Sequence, residues 1–276
     1  MKRLDAQALA DARKRAERAA LAGGEVIRSF ESRRSELQVQ EKGTNELVTQ
    51  VDVAAQRAIV ASLEGAVMGA DFLSEEEELG EGEQPDLCWI IDPLDGTTNF
   101  THGIPPWAVS IALVEGGRPV AGAVLDVTTG ELFSAARGQG LTANGESAQV
   151  SRTATLADSL ISTGFPYRDQ RYTDEYIAVL KTLMAGTRGV RRHGAAAVDL
   201  AWTACGRFDG FFEINLSPWD VAAGVLLIEE GGGIATDFRG DTDPVFRPHI
   251  VAANARLHAD LLRATEPLRA SQDLFD

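Results

Sequence analysis

Two hydrophobic periods divide this chain. From about Asp5 to Arg33, Ala and Leu alternate with Arg, Lys and Glu in the pattern of an amphipathic helix, with Gly23-Gly24 as a soft point inside it. Lys42-Gly43-Thr44-Asn45 reads as a loop, and Val48-Thr49-Gln50-Val51-Asp52 leads into a second helix running to about Leu63. The period then shortens. Asp71 to Leu73 and Leu87 to Ile91 are apolar runs of strand length. Trp107 to Val114 and Pro119 to Asp126 form a pair joined by the turn Glu115-Gly116-Gly117-Arg118. Glu131 to Ala136 and Gly140 to Ala143 follow, with turns at Gly138 and Asn144-Gly145, which completes an antiparallel meander.

The pattern restarts as a mixture. Leu160 to Thr163 and Gly189 to Arg191 read as strands, with a helix from about Asp169 to Met184 between them. His193-Gly194-Ala195-Ala196-Ala197 opens a helix to about Cys205, and Phe208 to Ile214 is a buried strand carrying Glu213. Ser217-Pro218-Trp219-Asp220 has the order of an N-cap, a first-turn proline and a capping-box acid. Its helix reaches Glu230 and stops at Gly231-Gly232-Gly233. Strands near Ile234 and Ile250 and a helix from about Ala255 finish a mixed α/β chain. No repeat, low-complexity linker or composition break marks a boundary, so residues 1–276 are expected to form a single domain.

Composition narrows the class. With 276 residues, 44% hydrophobic and 24% charged, the chain can bury a sizeable core. A net charge of −15 with no basic stripe argues against nucleic acid as a primary partner. The start, Met1-Lys2-Arg3-Leu4-Asp5, has no apolar segment of signal-peptide type, and no run is long enough to span a bilayer. A cytoplasmic protein with no membrane partner is expected. Cys88 and Cys205 both lie in apolar surroundings and read as reduced core thiols.

The densest chemistry lies in Cys88-Trp89-Ile90-Ile91-Asp92-Pro93-Leu94-Asp95-Gly96-Thr97-Thr98-Asn99-Phe100. An apolar strand meets Asp92 and should end at Pro93, which cannot donate to a ladder. Asp95-Gly96 is a turn signal, and Thr97-Thr98-Asn99 offers hydroxyls and free N–H groups at a helix start. Two carboxylates beside such donors suit a metal site next to an anion site, although a capped turn would need the same residues. Other candidates are also two-sided. Asp52 and Asp220 serve equally as helix caps, and the run Glu75-Glu76-Glu77-Glu78 as a solvated loop. The small-residue entry at Gly194, Ala195 and Ala196 suits either close packing or a ligand's approach to its N–H groups.

Asp92-Pro93-Leu94-Asp95-Gly96-Thr97-Thr98-Asn99-Phe100 resembles the signature of the inositol monophosphatase family of Mg2+-dependent, lithium-sensitive phosphatases, and Trp219-Asp220-Val221-Ala222-Ala223-Gly224 resembles its second signature. The resemblance runs along nearly the whole chain. It implies a five-layer αβαβα sandwich, as in fructose-1,6-bisphosphatase, usually dimeric. The halves, about 1–150 and 151–276, would meet at the site. It further implies that Glu75, Asp92 and the Leu94 carbonyl hold one ion and that Asp92, Asp95 and Asp220 hold a second. A third, weaker ion would lie near Glu75. The family pattern preceding that acid is commonly Gly-Glu-Glu; here Ser74 replaces Gly, and Glu76 is the alternative ligand.

Every donor in that set is a hard oxygen, which selects Mg2+, with Mn2+ as a substitute, over Zn2+. Bound cations also reconcile an acidic chain with a phosphate substrate. The resemblance places Thr97 beside the attacking water, backed by Glu75 or Asp52. It places Gly96 and Thr97 N–H groups on phosphate oxygens. Asp95, Gly194, Ala195, Ala196, Glu213 and Asp220 would lie along the leaving alcohol. Many members carry Ser or Thr where Ala195 stands, so a hydroxyl contact is lost. A carboxylate such as Glu213 accepts hydroxyl hydrogens and disfavours a second phosphate. That favours a small phosphorylated polyol such as inositol monophosphate over fructose 1,6-bisphosphate or 3'-phosphoadenosine 5'-phosphate. Histidinol phosphate stays open, since Glu213 could meet its amine. A regulatory, protein-binding role with incidental hydrolysis is the alternative of a different class.

Overall fold

A computed structural model of the chain describes residues 3–36, 39–43, 46–75, 86–167 and 169–269. Helix α1 (Ala6–Phe30) is capped by Asp5, whose carboxylate accepts the Ala8 N–H at 2.9 Å. Gly23 and Gly24 do not soften it: both are buried, and a Cβ on either would run into Ile59 or Leu125. Their missing side chains let α1 lie close against α2 (Gln50–Leu63) and the sheet beneath. The stretch expected as a loop around Lys42 is instead a hairpin of β1 (Val39–Gly43) and β2 (Glu46–Thr49), with Thr44 and Asn45 outside the described residues.

The first large sheet has seven strands in sequence order, β3 (Asp71–Ser74), β4 (Leu87–Asp95), β5 (Ala108–Glu115), β6 (Arg118–Asp126), β7 (Glu131–Ala136), β8 (Leu141–Ala143) and β9 (Glu146–Ala148). All neighbours run antiparallel except β3, which lies parallel to β4. Strand β4 does not end at Pro93. Its register slips over Pro93-Leu94, where a ladder donor is missing, and pairing resumes at Asp95 opposite Ala108. The short helix α3 (Thr97–His102) follows through Gly96, whose φ of 86° only glycine adopts at little cost.

The second half supplies β10 (Leu160–Thr163), α4 (Thr173–Gly186), β11 (Gly189–Arg191), α5 (Ala196–Ala204), β12 (Gly210–Ile214), α6 (Pro218–Glu230), β13 (Gly233–Thr236), β14 (His249–Asn254), α7 (His258–Ala264) and α8 (Glu266–Arg269). Its sheet has the order β11-β10-β12-β14-β13, parallel on the β11 side and antiparallel on the other.

Three apolar cores then define five layers. One, with Ile27, Ile59, Trp89 and Ile111, lies between α1–α2 and the first sheet. Another, with Ile90, Phe133, Leu200, Leu226 and Ile250, joins α5 and α6 to both sheets. A third, with Tyr176, Phe212, Val251 and Leu261, lies under α4, α7 and α8. Alternate residues of β4 therefore face opposite cores: Trp89 and Ile91 outward, Cys88 and Ile90 inward. This αβαβα order matches the architecture expected from sequence.

Candidate active site

The parallel pairing of β3 with β4 sets Ser74 opposite Ile91, and the Glu75 N–H donates to the Ile91 carbonyl at 3.3 Å. Glu75 therefore emerges beside Asp92. Ser74, at the position expected for Gly, is buried and donates to Gln56 Oε1 on α2 at 2.5 Å. Glu76 lies outside the described residues.

Asp92, Asp95 and Asp220 are all buried, and each offers a carboxylate oxygen within 4.8 Å of the others. A backbone N–H holds each one, two of them local and the third from the other half of the chain. Asp92 Oδ1 accepts the Leu94 N–H at 3.0 Å, Asp95 Oδ2 the Ala197 N–H at 2.8 Å, and Asp220 Oδ2 the Ser217 N–H at 2.7 Å. Asp220 is thus a capping-box acid and a member of the cluster at once. Burial, then the charges of Glu75, Asp95 and Asp220, push the Asp92 pKa well above the usual carboxylate range. Burial first, and Asp220 next, push Asp95 up to about 8. Carboxylates that repel one another in a desolvated site fit hard divalent cations, whose charge would reverse both effects. The donor set suits Mg2+.

Asp52 likewise serves two ends. Its Oδ2 accepts the Thr49 N–H at 2.8 Å and the Thr49 hydroxyl at 2.6 Å, closing the capping box of α2. Its Oδ1 lies 2.9 Å from Thr97 Oγ1, which also stands 3.0 Å from the Leu94 carbonyl. One hydroxyl hydrogen serves one acceptor at a time, so Thr97 Oγ1 retains lone pairs for a water's hydrogen. Burial raises the Asp52 pKa against the pull of its hydrogen bonds.

From the other half, Gly194 (φ 85°), Ala195 and Ala196 turn the chain into α5 against Gly96. A Cβ on Gly96 would stand 3.1 Å from the Pro106 carbonyl and 3.4 Å from that of Gly194. The Asn99 amide ties these segments together, donating to Pro106 O at 2.9 Å and His193 O at 2.7 Å. Sequence reasoning gave Asn99 no role, because its acceptors are distant backbone carbonyls. The Ala197 donor is not free for a ligand, since Asp95 takes it.

Glu213, on β12, fills the space that a side chain at Gly164 would need. Burial and the charges of Asp199, Asp220 and Asp95 push its pKa well up, with Arg192 opposing them. Arg192 is exposed beside this group and stacks over Phe165 and Tyr167, at 5.5 and 5.2 Å from their ring centroids. No sequence signal pointed to that cation. The structure thus brings Glu75, Asp92, Leu94, Asp95, Gly96, Thr97, Asp52 and Asp220 to one place, with Gly194 to Ala196 and Glu213 adjoining.

Residues 9–270 match the model of the Inositol monophosphatase family. The chain is 44% identical over 254 residues to "Nus factor SuhB" of Pseudomonas aeruginosa, covering 91% of this chain and 94% of that one. It is also 44% identical over 235 residues to "Inositol-1-monophosphatase" of Mesorhizobium japonicum, covering 85% and 88%. Among solved structures, the extragenic suppressor protein suhB from Bartonella henselae superposes with a TM-score of 0.85 at 41% identity, over 90% of this chain and 96% of that one. No helix among the described residues is long and apolar enough to cross a membrane.

Proposed function

The chain belongs to the inositol monophosphatase family, and from that premise we propose that it is a Mg2+-dependent phosphomonoesterase acting on inositol monophosphate or a similar small polyol phosphate. The carrying observation is the convergence of Asp92, Asp95 and Asp220 within 4.8 Å, with Glu75 at the adjoining strand end. These residues and the Leu94 carbonyl would hold two or three ions. When bound, Mg2+ supplies a Lewis acid that lowers the pKa of the attacking water and neutralises phosphate oxygens.

The chain's own residues do the positioning. Thr97, fixed by Asp52, accepts a hydrogen of the attacking water and aims its oxygen at phosphorus. Glu75 or Asp52 takes the proton, and water adds directly, without a covalent phosphoenzyme. Backbone N–H groups of Gly96 and Thr97, at the turn into α3, meet phosphate oxygens. The alcohol leaves toward Gly194, Ala195, Ala196 and Glu213. Glu213, beside further carboxylates, favours hydroxyls over a second phosphate, which sets fructose 1,6-bisphosphate and 3'-phosphoadenosine 5'-phosphate behind the monophosphate of an uncharged polyol and leaves histidinol phosphate, whose amine Glu213 could meet, as the alternative.

As a cytoplasmic, lithium-sensitive homodimer, residues 1–276 would act as one unit. Ile177 and Met184 on α4 are exposed apolar side chains that a second copy could cover. The name Nus factor carried by the Pseudomonas relative favours a second reading, a regulatory, protein-binding role in which hydrolysis is incidental. Phosphate release from a panel of these esters, with and without Mg2+ and Li+, tests the first reading. No release from folded, metal-loaded protein would promote the second.

A further inference from the structure

Ala195 stands at the N-cap of α5 and gives that helix no side-chain cap. Such a position ordinarily carries a hydroxyl or carboxylate that accepts one of the first N–H groups. Asp95 takes the Ala197 N–H from across the site, but nothing at Ala195 itself holds the sharp turn before it. Two neighbouring bonds do. The His193 carbonyl accepts from Asn99 at 2.7 Å, and His193 Nδ1 lies 2.8 Å from Asp199 Oδ1. The imidazole is wedged edge-on to Trp202 and tilted against Phe208, each ring centre 5.3 Å away. Asp199 is fully buried, and burial raises its pKa only to about 6, so at neutral pH it is a carboxylate and Nδ1–H donates.

We propose that His193 is a positioning residue for the substrate-facing turn Gly194-Ala195-Ala196. Its bond to Asp199 spans the helix entry, from two residues before the N-cap position to the fourth residue of the helix, and ties that entry side chain to side chain while Asp95 takes the Ala197 N–H. It is a polar counterpart of the hydrophobic staple. Asn99 fixes the backbone end of the same turn and Asp199 the side-chain end, so Gly194 keeps its left-handed φ of 85° in one register against Gly96.

The kinetic test rests on the phosphatase reading and uses the full chain with Mg2+ and myo-inositol 1-phosphate. His193→Ala and Asp199→Leu should each raise KM about tenfold, the scale of one charge-assisted hydrogen bond, with kcat unchanged. The double variant should be no worse than either single one. Asp199→Asn, which still accepts from Nδ1–H, should restore the parent KM. Amide hydrogen exchange at Gly194 to Ala197 should quicken in the first two variants and not in Asp199→Asn. Additive effects, a loss confined to kcat, or unchanged exchange in His193→Ala would overturn the proposal. If the parent protein releases no phosphate from any ester, the phosphatase reading has failed, and the exchange data alone decide on His193.

Discussion

Asp95 caps a helix from the other half of the chain: its Oδ2 accepts the Ala197 N–H at 2.8 Å. The same carboxylate stands in the cluster with Asp92 and Asp220. Docking of α5 against the first sheet and assembly of the acidic site are therefore one event, and neither half holds the full set alone.

Asp95→Asn separates the two roles. The amide oxygen still accepts from Ala197, while the charge needed for a cation is gone. Turnover should fall about a hundredfold or more, since metal-borne stabilisation is worth several kcal/mol. Metal-free Tm should hold near neutral pH, where Asp95 with a pKa of about 8 already carries a proton, and should rise above about pH 8, where the parent carboxylates repel one another. Calorimetry without metal and phosphate release with it check the two halves of this expectation.

Thr97 offers a finer cut. Thr97→Ser keeps the hydroxyl within reach of Asp52 and Leu94 and should retain most activity. Thr97→Val keeps the shape and strips the hydrogen bond from a buried carboxylate, so kcat should drop about a hundredfold, the usual scale for a lost proton-handling contact. The Mg2+ concentration giving half activity should stay the same in both. A parallel loss of Mg2+ affinity would place Thr97 in the metal site instead.

Much of this was readable in the chain, for a physical reason. Helices and strands followed from period, and the cluster from two local motifs: Asp92 and Asp220 each take a hydrogen bond within three residues, whereas the bond to Asp95 comes from Ala197 in the other half of the chain. What could not be read depends on space and on distant backbone. Asn99 read only as part of a helix start, and its amide bond to the His193 carbonyl, at 2.7 Å, comes from the other half of the chain. Gly23-Gly24 looked soft, yet the pair is a packing seam against Ile59 and Leu125. Pro93 argued for a strand end, and the sheet absorbed it with a register slip. Ser74 departed from the expected Gly, and Gln56, eighteen positions away, supplied its partner.

The acidic site should make metal binding depend on pH. Without a cation, Asp92 and Asp95 have folded pKa values above their unfolded ones, the latter about 8. Between the unfolded value and about 8, the folded state holds protons that the unfolded state has released, so metal-free stability declines as pH rises through that window. Cations compete with those protons. Apparent Mg2+ affinity should therefore climb from pH 6 to about 8 and then level, and the rise in Tm on adding Mg2+ should be larger at the upper end. Titration calorimetry and thermal melts at several pH values measure both; an affinity independent of pH would contradict the assigned protonation.

Gly164 tests the leaving-group end without touching a candidate ligand. Its φ is not in the left-handed region, so alanine fits the backbone, but the added Cβ would overlap the Glu213 carboxylate. Glu213 must then swing away, and it has little freedom beside Arg192, Asp199 and Asp220. Gly164→Ala should raise KM for myo-inositol 1-phosphate about tenfold or more, as expected for a lost hydrogen bond to a charged group, and leave inhibition by inorganic phosphate as it was. Glu213→Gln keeps the shape and removes the charge. It should improve turnover of fructose 1,6-bisphosphate relative to inositol phosphate, because the second phosphate no longer meets a carboxylate. If Gly164→Ala leaves KM unchanged while Glu213→Gln shifts preference, Glu213 selects by its field and not by contact. If neither variant moves KM or preference, the alcohol leaves by another face of the site, and Glu213 is only a buried acid.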